Sequence, residues 1–357
     1  MKIGIDISQI VYGTGVSRYT QELVKNLLNI DKKNQYILFF SSLRSKIQNS
    51  KFKIQNYNAK LKNYRIPPTI LELLWNKFHM VNVENFVGDI DIFHSSDWTQ
   101  PPSYAKKITT VHDVSFLRFP ESFPKKIIDV HKRRLYWVKK ECDLVIADSA
   151  STKKDLVDFL GFDEKKIRVI NLGVSKKFKI RRDENRIKKD YILSVGTLEP
   201  RKNLKSVIAA FAQLKLTKTK LVLVGKKGWG EEIKSLNQNI VFTGFVPEEV
   251  LSGLYGGAKC FVYPSLYEGF GLPVLEAMAM GCPVVCSNTS SLPEIAGNAA
   301  ILVNPTDVNE IAKAIKTILE NKNISSQLKE KGLNQAKQFT WEKTARETLE
   351  IYKEIVC

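Results

Sequence analysis

Two glutamates, Glu268 and Glu276, stand eight residues apart around the run Gly269-Phe270-Gly271-Leu272-Pro273. The apolar run 259–263 before them reads as a strand. Leu272-Pro273 reads as the opening of a helix, with proline in its first turn. Gly269 and Gly271 let backbone amides face a ligand, and a helix start adds positive potential suited to phosphate. One carboxylate in the loop and one in the helix can each accept hydrogen bonds from sugar hydroxyls. The competing structural reading gives Glu276 to the helix dipole and Glu268 to solvent; the flanking glycines favour a ligand.

Three other stretches place polar groups where a strand gives way to a loop. Arg201 and Lys202 follow the strand 191–195 within Val-Gly-Thr-Leu-Glu-Pro-Arg-Lys-Asn. A planar fork beside a point charge suits a diphosphate, and a solvated pair is the alternative. His112-Asp113 ends the strand 107–111, where a histidine can hydrogen-bond a polar ligand or simply serve the fold. The same choice applies to His94. In the first turn, Gly13-Thr14-Gly15 can bring amides to a phosphate or make a tight bend. Arg18 occupies the third glycine position of a dinucleotide fingerprint, and the second strand ends in Ser41-Ser42 without an acid for a ribose. Hydride chemistry on a nicotinamide is disfavoured.

These residues need strands that end at a common edge. The chain has 357 residues, 43% hydrophobic and 26% charged, a globular composition too long for one core. Short apolar runs at 2–6, 36–40, 90–94, 107–111, 143–148 and 167–171 alternate with amphipathic stretches. Six more follow at 191–195, 220–224, 239–243, 259–263, 282–286 and 300–303. Continuous apolar strands separated by helices predict parallel sheets covered on both faces, hence an α/β protein of two doubly wound halves. The charged stretch 176–189 marks the boundary. The predicted domains are 1–180 and 181–340, followed by a terminal helix in 341–357. Strand carboxyl ends would then face a shared ligand cleft.

The charge is +18, from 55 Lys and Arg against 37 Asp and Glu. Residues 1–180 hold 31 of the bases and 18 of the acids, so the excess sits in the first half. An anionic partner is implied: nucleic acid, a lipid surface or a phosphorylated ligand. The stretch 124–140 mixes Lys and Arg with Ile, Val, Leu, Tyr and Trp. It suits an anionic membrane surface, or is an ordinary amphipathic helix of a basic protein. Five scattered cysteines (Cys142, Cys260, Cys282, Cys286, Cys357) without paired ligands point to a reduced, cytoplasmic protein and no zinc. The start reads as a strand and not as a signal peptide, and no apolar run is long enough to span a bilayer.

In combination these stretches resemble the retaining glycosyltransferases of family 4, which have the GT-B fold. The matching segments are Glu268…Glu276 within EGFGLPVLEAMAMGCPVV, VGTLEPRKN, TVHDVSFLRFPE, DSASTKKDL, 170–174 and 291–297. They span nearly the whole chain, and the wording of GTLEPRKN is similar to bacterial mannosyl- and rhamnosyltransferases. The resemblance implies that Glu276 holds the ribose of a sugar nucleotide. Glu268, with Gly269 and the amides of Phe270, Gly271 and Leu272, holds the hexose and diphosphate. Arg201 and Lys202 neutralise the departing diphosphate, His112 contacts the donor sugar, Gly15 covers the phosphate and Val246 lies by the base. Thr197 stands where many relatives carry arginine. The terminal helix crosses back onto the first domain, which takes the acceptor.

The expected activity is metal-independent, cofactor-free transfer of a hexose with retention, most simply mannose from GDP-mannose. The acceptor would be a glycan or lipid-linked hydroxyl in cell-surface polysaccharide synthesis, with the protein cytoplasmic or peripheral at the inner membrane face. A UDP-hexose donor is the nearest alternative. Nucleic-acid binding would use the charge but no recognised module is present, and it leaves the two glutamates unexplained. A sugar-nucleotide epimerase or hydrolase, or a lectin-like binder, is disfavoured by the same glutamates and by His112, Arg201 and Lys202.

Overall fold

The computed structural model describes residues 1–43, 58–178, 190–228 and 237–356. Most of the charged boundary stretch, 179–189, and Cys357 lie outside the described residues. The chain divides into two compact units. The first comprises Met1–Pro120, Pro124–Gly173 and Trp341–Cys357; the second comprises Glu121–Phe123 and Val174–Thr340.

The first unit is built on β1 (Lys2–Asp6), β2 (Gln35–Ser41), β3 (Ala59–Tyr64), β4 (Ile92–Ser95), β5 (Lys106–Val111), β6 (Leu144–Ala147) and β7 (Ile167–Val169). They pair in the order β3-β2-β1-β4-β5-β6-β7, all parallel. The second unit holds β8 (Tyr191–Val195), β9 (Lys220–Val224), β10 (Ile240–Gly244), β11 (Cys260–Tyr263), β12 (Val284–Ser287) and β13 (Ala300–Val303). Their order is β10-β9-β8-β11-β12-β13, again parallel. The α/β class with two doubly wound sheets agrees with the expectation. Strands β6 and β11 are buried at every position, which is why their apolar runs are unbroken.

The first sheet has seven strands and not the expected six. Strand β3, Ala-Lys-Leu-Lys-Asn-Tyr, escapes an apolar-run reading because this edge strand, with no buried residue, alternates lysine with apolar residues. Its lysines protect that edge against further pairing.

The final helix, Trp341–Glu354, belongs to the first unit and packs along the helix Gly15–Ile30. Three contacts fix it. The Tyr352 hydroxyl lies 2.7 Å from His94 Nδ1, Thr344 Oγ1 donates to the Asn171 carbonyl at 2.8 Å, and the Trp341 ring lies 6.1 Å from that of Tyr19. Cys142, Cys260, Cys282 and Cys286 are buried free thiols.

In each unit the strand order reverses beside the first strand: at β1/β4 in one, at β8/β11 in the other. Ligands of open α/β sheets bind outside the strand carboxyl ends at such points. The turns there are tight. A Cβ on Gly225, just after β9, would lie 1.8 Å from the Gly196 carbonyl oxygen of the turn after β8. Gly225→Ala is expected to cost about 3 kcal/mol or more through this backbone clash. Gly13→Ala, at φ +66 with open space around it, should cost about 1 kcal/mol. Chemical denaturation of the two variants checks the difference.

Candidate functional site

In the second unit Arg201, Lys202 and Glu268 come together beside the β8/β11 switch point. Strand β8 leads into a short 3-10 turn, Pro200–Lys202, ended by Asn203 in the left-handed region at φ 56. Asn203 donates to the carbonyls of Pro264 at 3.1 Å and Pro305 at 2.6 Å, which ties the turn to the loops after β11 and β13. Glu268 is buried opposite this turn. Lys202 Nζ donates to Glu268 Oε1 at 2.6 Å and to the Tyr263 hydroxyl at 2.9 Å, and Tyr263 donates to Oε1 at 2.8 Å. Arg201 reaches Glu268 Oε2 at 3.3 Å, the Tyr267 carbonyl at 2.7 Å and Glu199 Oε1 at 2.7 Å. Burial alone would raise the Glu268 carboxyl; the charges of Lys202 and Arg201 overcome it and hold the group at about 2. It is therefore a carboxylate at any working pH.

The loop after Glu268 is braced from behind. Ser291 Oγ donates to the carbonyls of Glu268 at 2.9 Å and Phe270 at 2.8 Å, and the Glu268 amide donates to Ser290 Oγ at 3.0 Å. Gly271 sits at φ +107, with Leu292 so close that a Cβ would meet it at 2.5 Å. It opens the helix Leu272–Ala279, which has no side-chain cap and carries Pro273 in its first turn. Gly269, Phe270 and Leu272 thus form the approach to an uncapped helix start, an anion-binding arrangement. Glu276, on the same helix, is buried and accepts from Tyr255 at 3.1 Å. Val246 lies in the turn between β10 and the helix Glu248–Gly257, beside Phe245, whose ring carries Lys226 Nζ 4.7 Å above its centroid. Thr197 is exposed in the turn after β8, and a Cβ on Gly228 would lie 2.5 Å from its methyl group.

His112 and Gly15 belong to the first unit. Gly15 opens the helix Gly15–Ile30 behind a capping box of Thr14 and Ser17. It is exposed, and a Cβ there would touch nothing within 4 Å, so packing does not demand glycine. His112 Nδ1 lies 2.7 Å from Asp148 Oδ2, and the Tyr19 ring stands edge-on at 4.6 Å. Its Nε2 is buried without a hydrogen-bond partner. Burial opposes a charged imidazole here, yet the Asp148 carboxylate prevails and raises the His112 pKa above 6.5. An imidazolium so held presents one N–H, from Nε2, to whatever enters.

The acid beside His112 is thus Asp148 and not its neighbour Asp113. Asp113 turns away and accepts from the Ser115 amide at 2.8 Å and hydroxyl at 2.6 Å. Strand pairing, and not local sequence, brings Asp148 to the histidine. Strands β5 and β6 run parallel with Val111 opposite Ala147, so the residues just beyond them, His112 and Asp148, emerge as neighbours. His94 is structural: it is wedged between Tyr352 and Thr110, and burial lowers its pKa to about 3. Glu199, Tyr255 and Tyr263 were also missed, because nothing in their local sequence distinguishes a brace from an ordinary core residue.

Residues 13–178 match the model of Glycosyltransferase Family 4, and residues 176–335 that of Glycosyl transferases group 1. O-antigen chain mannosyltransferase B of Escherichia coli is 31% identical over 99% of this chain and 100% of its own length. The chain belongs to glycosyltransferase family 4. It is a glycosyltransferase with the two-domain GT-B fold. Among solved structures, sucrose-phosphate synthase of Thermosynechococcus elongatus superposes with a TM-score of 0.76 at 20% identity, covering 99% of both chains. HepE of Anabaena in complex with UDP-glucose gives 0.75 at 16% identity, covering 99% of this chain and 100% of its own.

In this glycosyltransferase, Asp148→Asn removes the charge that raises His112 while burial remains. The His112 pKa should fall from above 6.5 to below it, so that the imidazole is neutral at pH 7. Imidazole NMR titration of wild type and variant measures this directly. An unchanged titration would show that Asp148 does not govern the histidine.

Proposed function

We propose that the enzyme transfers mannose from GDP-mannose, with retention and without a metal, to a hydroxyl of a glycan or lipid-linked acceptor in cell-surface polysaccharide synthesis. The full-length match to an O-antigen mannosyltransferase supports the sugar and the pathway class. The observation that carries the chemistry is the buried pair of cations on Glu268, beside a helix start with no side-chain cap.

Each residue then has a physical role. Lys202 exchanges Glu268 for the diphosphate when the donor seats, and the carboxylate becomes available to a hexose hydroxyl. Arg201, bonded to Glu199 and the Tyr267 carbonyl, remains as a fixed charge behind it. The approach formed by Gly269, Phe270, Gly271 and Leu272 receives phosphate oxygens. Glu276, oriented by Tyr255, takes the ribose hydroxyls, and Val246 lies along the base. From the first unit, His112 Nε2 donates to the donor sugar and the Gly15 amide serves the diphosphate.

In the reaction the bond from the anomeric carbon to the phosphate oxygen breaks while the acceptor oxygen attacks from the same face. The acceptor proton passes to the leaving phosphate. Charge grows on that phosphate, and the two cations stabilise it in place of a metal ion. A cytoplasmic, membrane-peripheral location fits a lipid-linked acceptor and the basic first half of the chain.

The test combines binding and turnover. GDP and GDP-mannose should raise the thermal midpoint in the presence of EDTA, whereas UDP and ADP should not. Glu276→Ala should abolish that shift. Lys202→Ala should lower kcat about 10²–10³-fold, and NMR of the product should show the donor's anomeric configuration. A UDP-selective shift overturns the donor, an inverted product overturns retention, and loss of turnover with EDTA overturns metal independence.

A further inference from the structure

One segment of the first unit leaves apolar side chains in solvent where the core has no use for them. Pro68–Leu71 runs directly into Glu72–Lys77, a helical stretch whose second part is wound as a π-helix. Its inner residues Leu71 and Trp75 join a core cluster with Phe39 and Phe93. Ile70 and Leu73 lie exposed, followed by Phe78, Met80 and Val81, with Phe78 and Met80 each 59% exposed. Fourteen large hydrophobic residues are exposed among the described residues, and five fall within these twelve positions. A sixth, Tyr136, lies on the adjoining helix Lys125–Glu141. Such clustering marks an interaction face, unlike singly scattered apolar residues.

The tip is held rigidly and under strain. His79 and Val81 have φ of 52 and 65, a region that a β-branched residue such as valine strongly disfavours. The surroundings enforce it. The His79 ring stacks on Trp137 at 3.6 Å, and its two nitrogens reach the Trp75 carbonyl at 2.8 Å and Glu141 at 2.9 Å. Trp75 Nε1 donates to the Val81 carbonyl at 3.0 Å. Met80 is thereby projected outward between two locked residues.

Two cations flank this tip. Lys77 Nζ lies 5.4 Å from the Phe78 ring centre and Lys140 Nζ 5.1 Å from that of Trp137. The helix Lys125–Glu141 also exposes Lys125, Lys126 and Lys132. Of the neighbouring acids, Glu72 pairs with Arg133 and Glu141 with Lys107, which leaves Asp129 as the other acid on that helix. The helix cannot insert by itself, since Val130, Leu135 and Val138 face inward. Apolar residues flanked by Lys77 and Lys140, with the nearby Glu72 and Glu141 each paired to a cation, match an anionic lipid surface.

We propose that the segment 70–81 is a membrane-docking wedge. Ile70, Leu73, Phe78, Met80 and Val81 enter the boundary between headgroups and acyl chains, while Lys77, Lys132 and Lys140 bind the lipid phosphates. This rests on the peripheral-membrane part of the reading above and adds the place of contact.

The test uses the full chain and vesicles of phosphatidylcholine with or without phosphatidylglycerol, read by co-sedimentation. The wild type should bind only the anionic vesicles, and less at higher salt. The double variant Phe78→Ser/Met80→Ser should bind them roughly tenfold or more weakly, at an unchanged thermal midpoint and unchanged transfer to a soluble acceptor. Lys132→Glu/Lys140→Glu should weaken binding and flatten the salt dependence. Equal binding by the wild type and the Phe78/Met80 variant would overturn the wedge yet leave peripheral association standing. No binding of wild type to either vesicle overturns both. A dimer that the Phe78/Met80 variant splits, without vesicle binding, would make the face an interface between copies and overturn the proposal.

Discussion

The second unit is organised by the need to keep one carboxylate charged out of water. Glu268 is buried, and a buried carboxylate survives as an anion only where cations and hydrogen-bond donors replace its hydration. Lys202, Arg201 and Tyr263 do this, and removal of one partner from such a cluster typically costs about 3–5 kcal/mol. Their placement dictates the rest. The 3-10 turn must end in the left-handed Asn203 to aim both cations at one acid, and Asn203 must be tied to Pro264 and Pro305 to keep the turn there. Without a donor, the protein's own carboxylate occupies the cations. Lys202 has one acidic partner, whereas Arg201 is shared among three acceptors.

The first unit solves a different problem with parallel register. Strands β5 and β6 deliver His112 and Asp148 side by side, and the pair fixes which imidazole nitrogen is left over. Behind them, Arg134 is buried against the carbonyls of Ser96 and Thr110 and the hydroxyl of Thr109. It ties together the carboxyl ends of β4 and β5. Tyr19 links the imidazole to this scaffold: its ring meets His112, and its hydroxyl lies 2.7 Å from Thr110 Oγ1, which also contacts His94 Nε2 at 3.0 Å. The terminal helix completes the chain of contacts through Tyr352. A helix distant in sequence therefore helps to hold the histidine.

The division between what was legible in the sequence and what was not follows the range of the interactions. Glu268, the glycines, Pro273 and Glu276 act within one loop and one helix, so their spacing carries their geometry. The twelve apolar runs mark twelve strands, most of them buried parallel strands that need apolar residues on both faces. Strand β3 has no such need at its edge and stayed hidden. Asp148 required knowing that β6 lies beside β5. The commitment of Arg201 to Glu199 and the Tyr267 carbonyl, and the outward face of the segment 70–81, required the packed side chains themselves. Hydrophobic sequence alone does not separate Leu71, which is in the core, from Ile70, which is in solvent. The sequence by itself determined the family, the two doubly wound sheets and the spacing of the loop and helix that carry Glu268 and Glu276. Tertiary structure alone decided which carboxylate serves the histidine, which cation is tied down and which apolar face is exposed. Burial and pairing between distant segments are properties of the folded chain and of no local stretch within it.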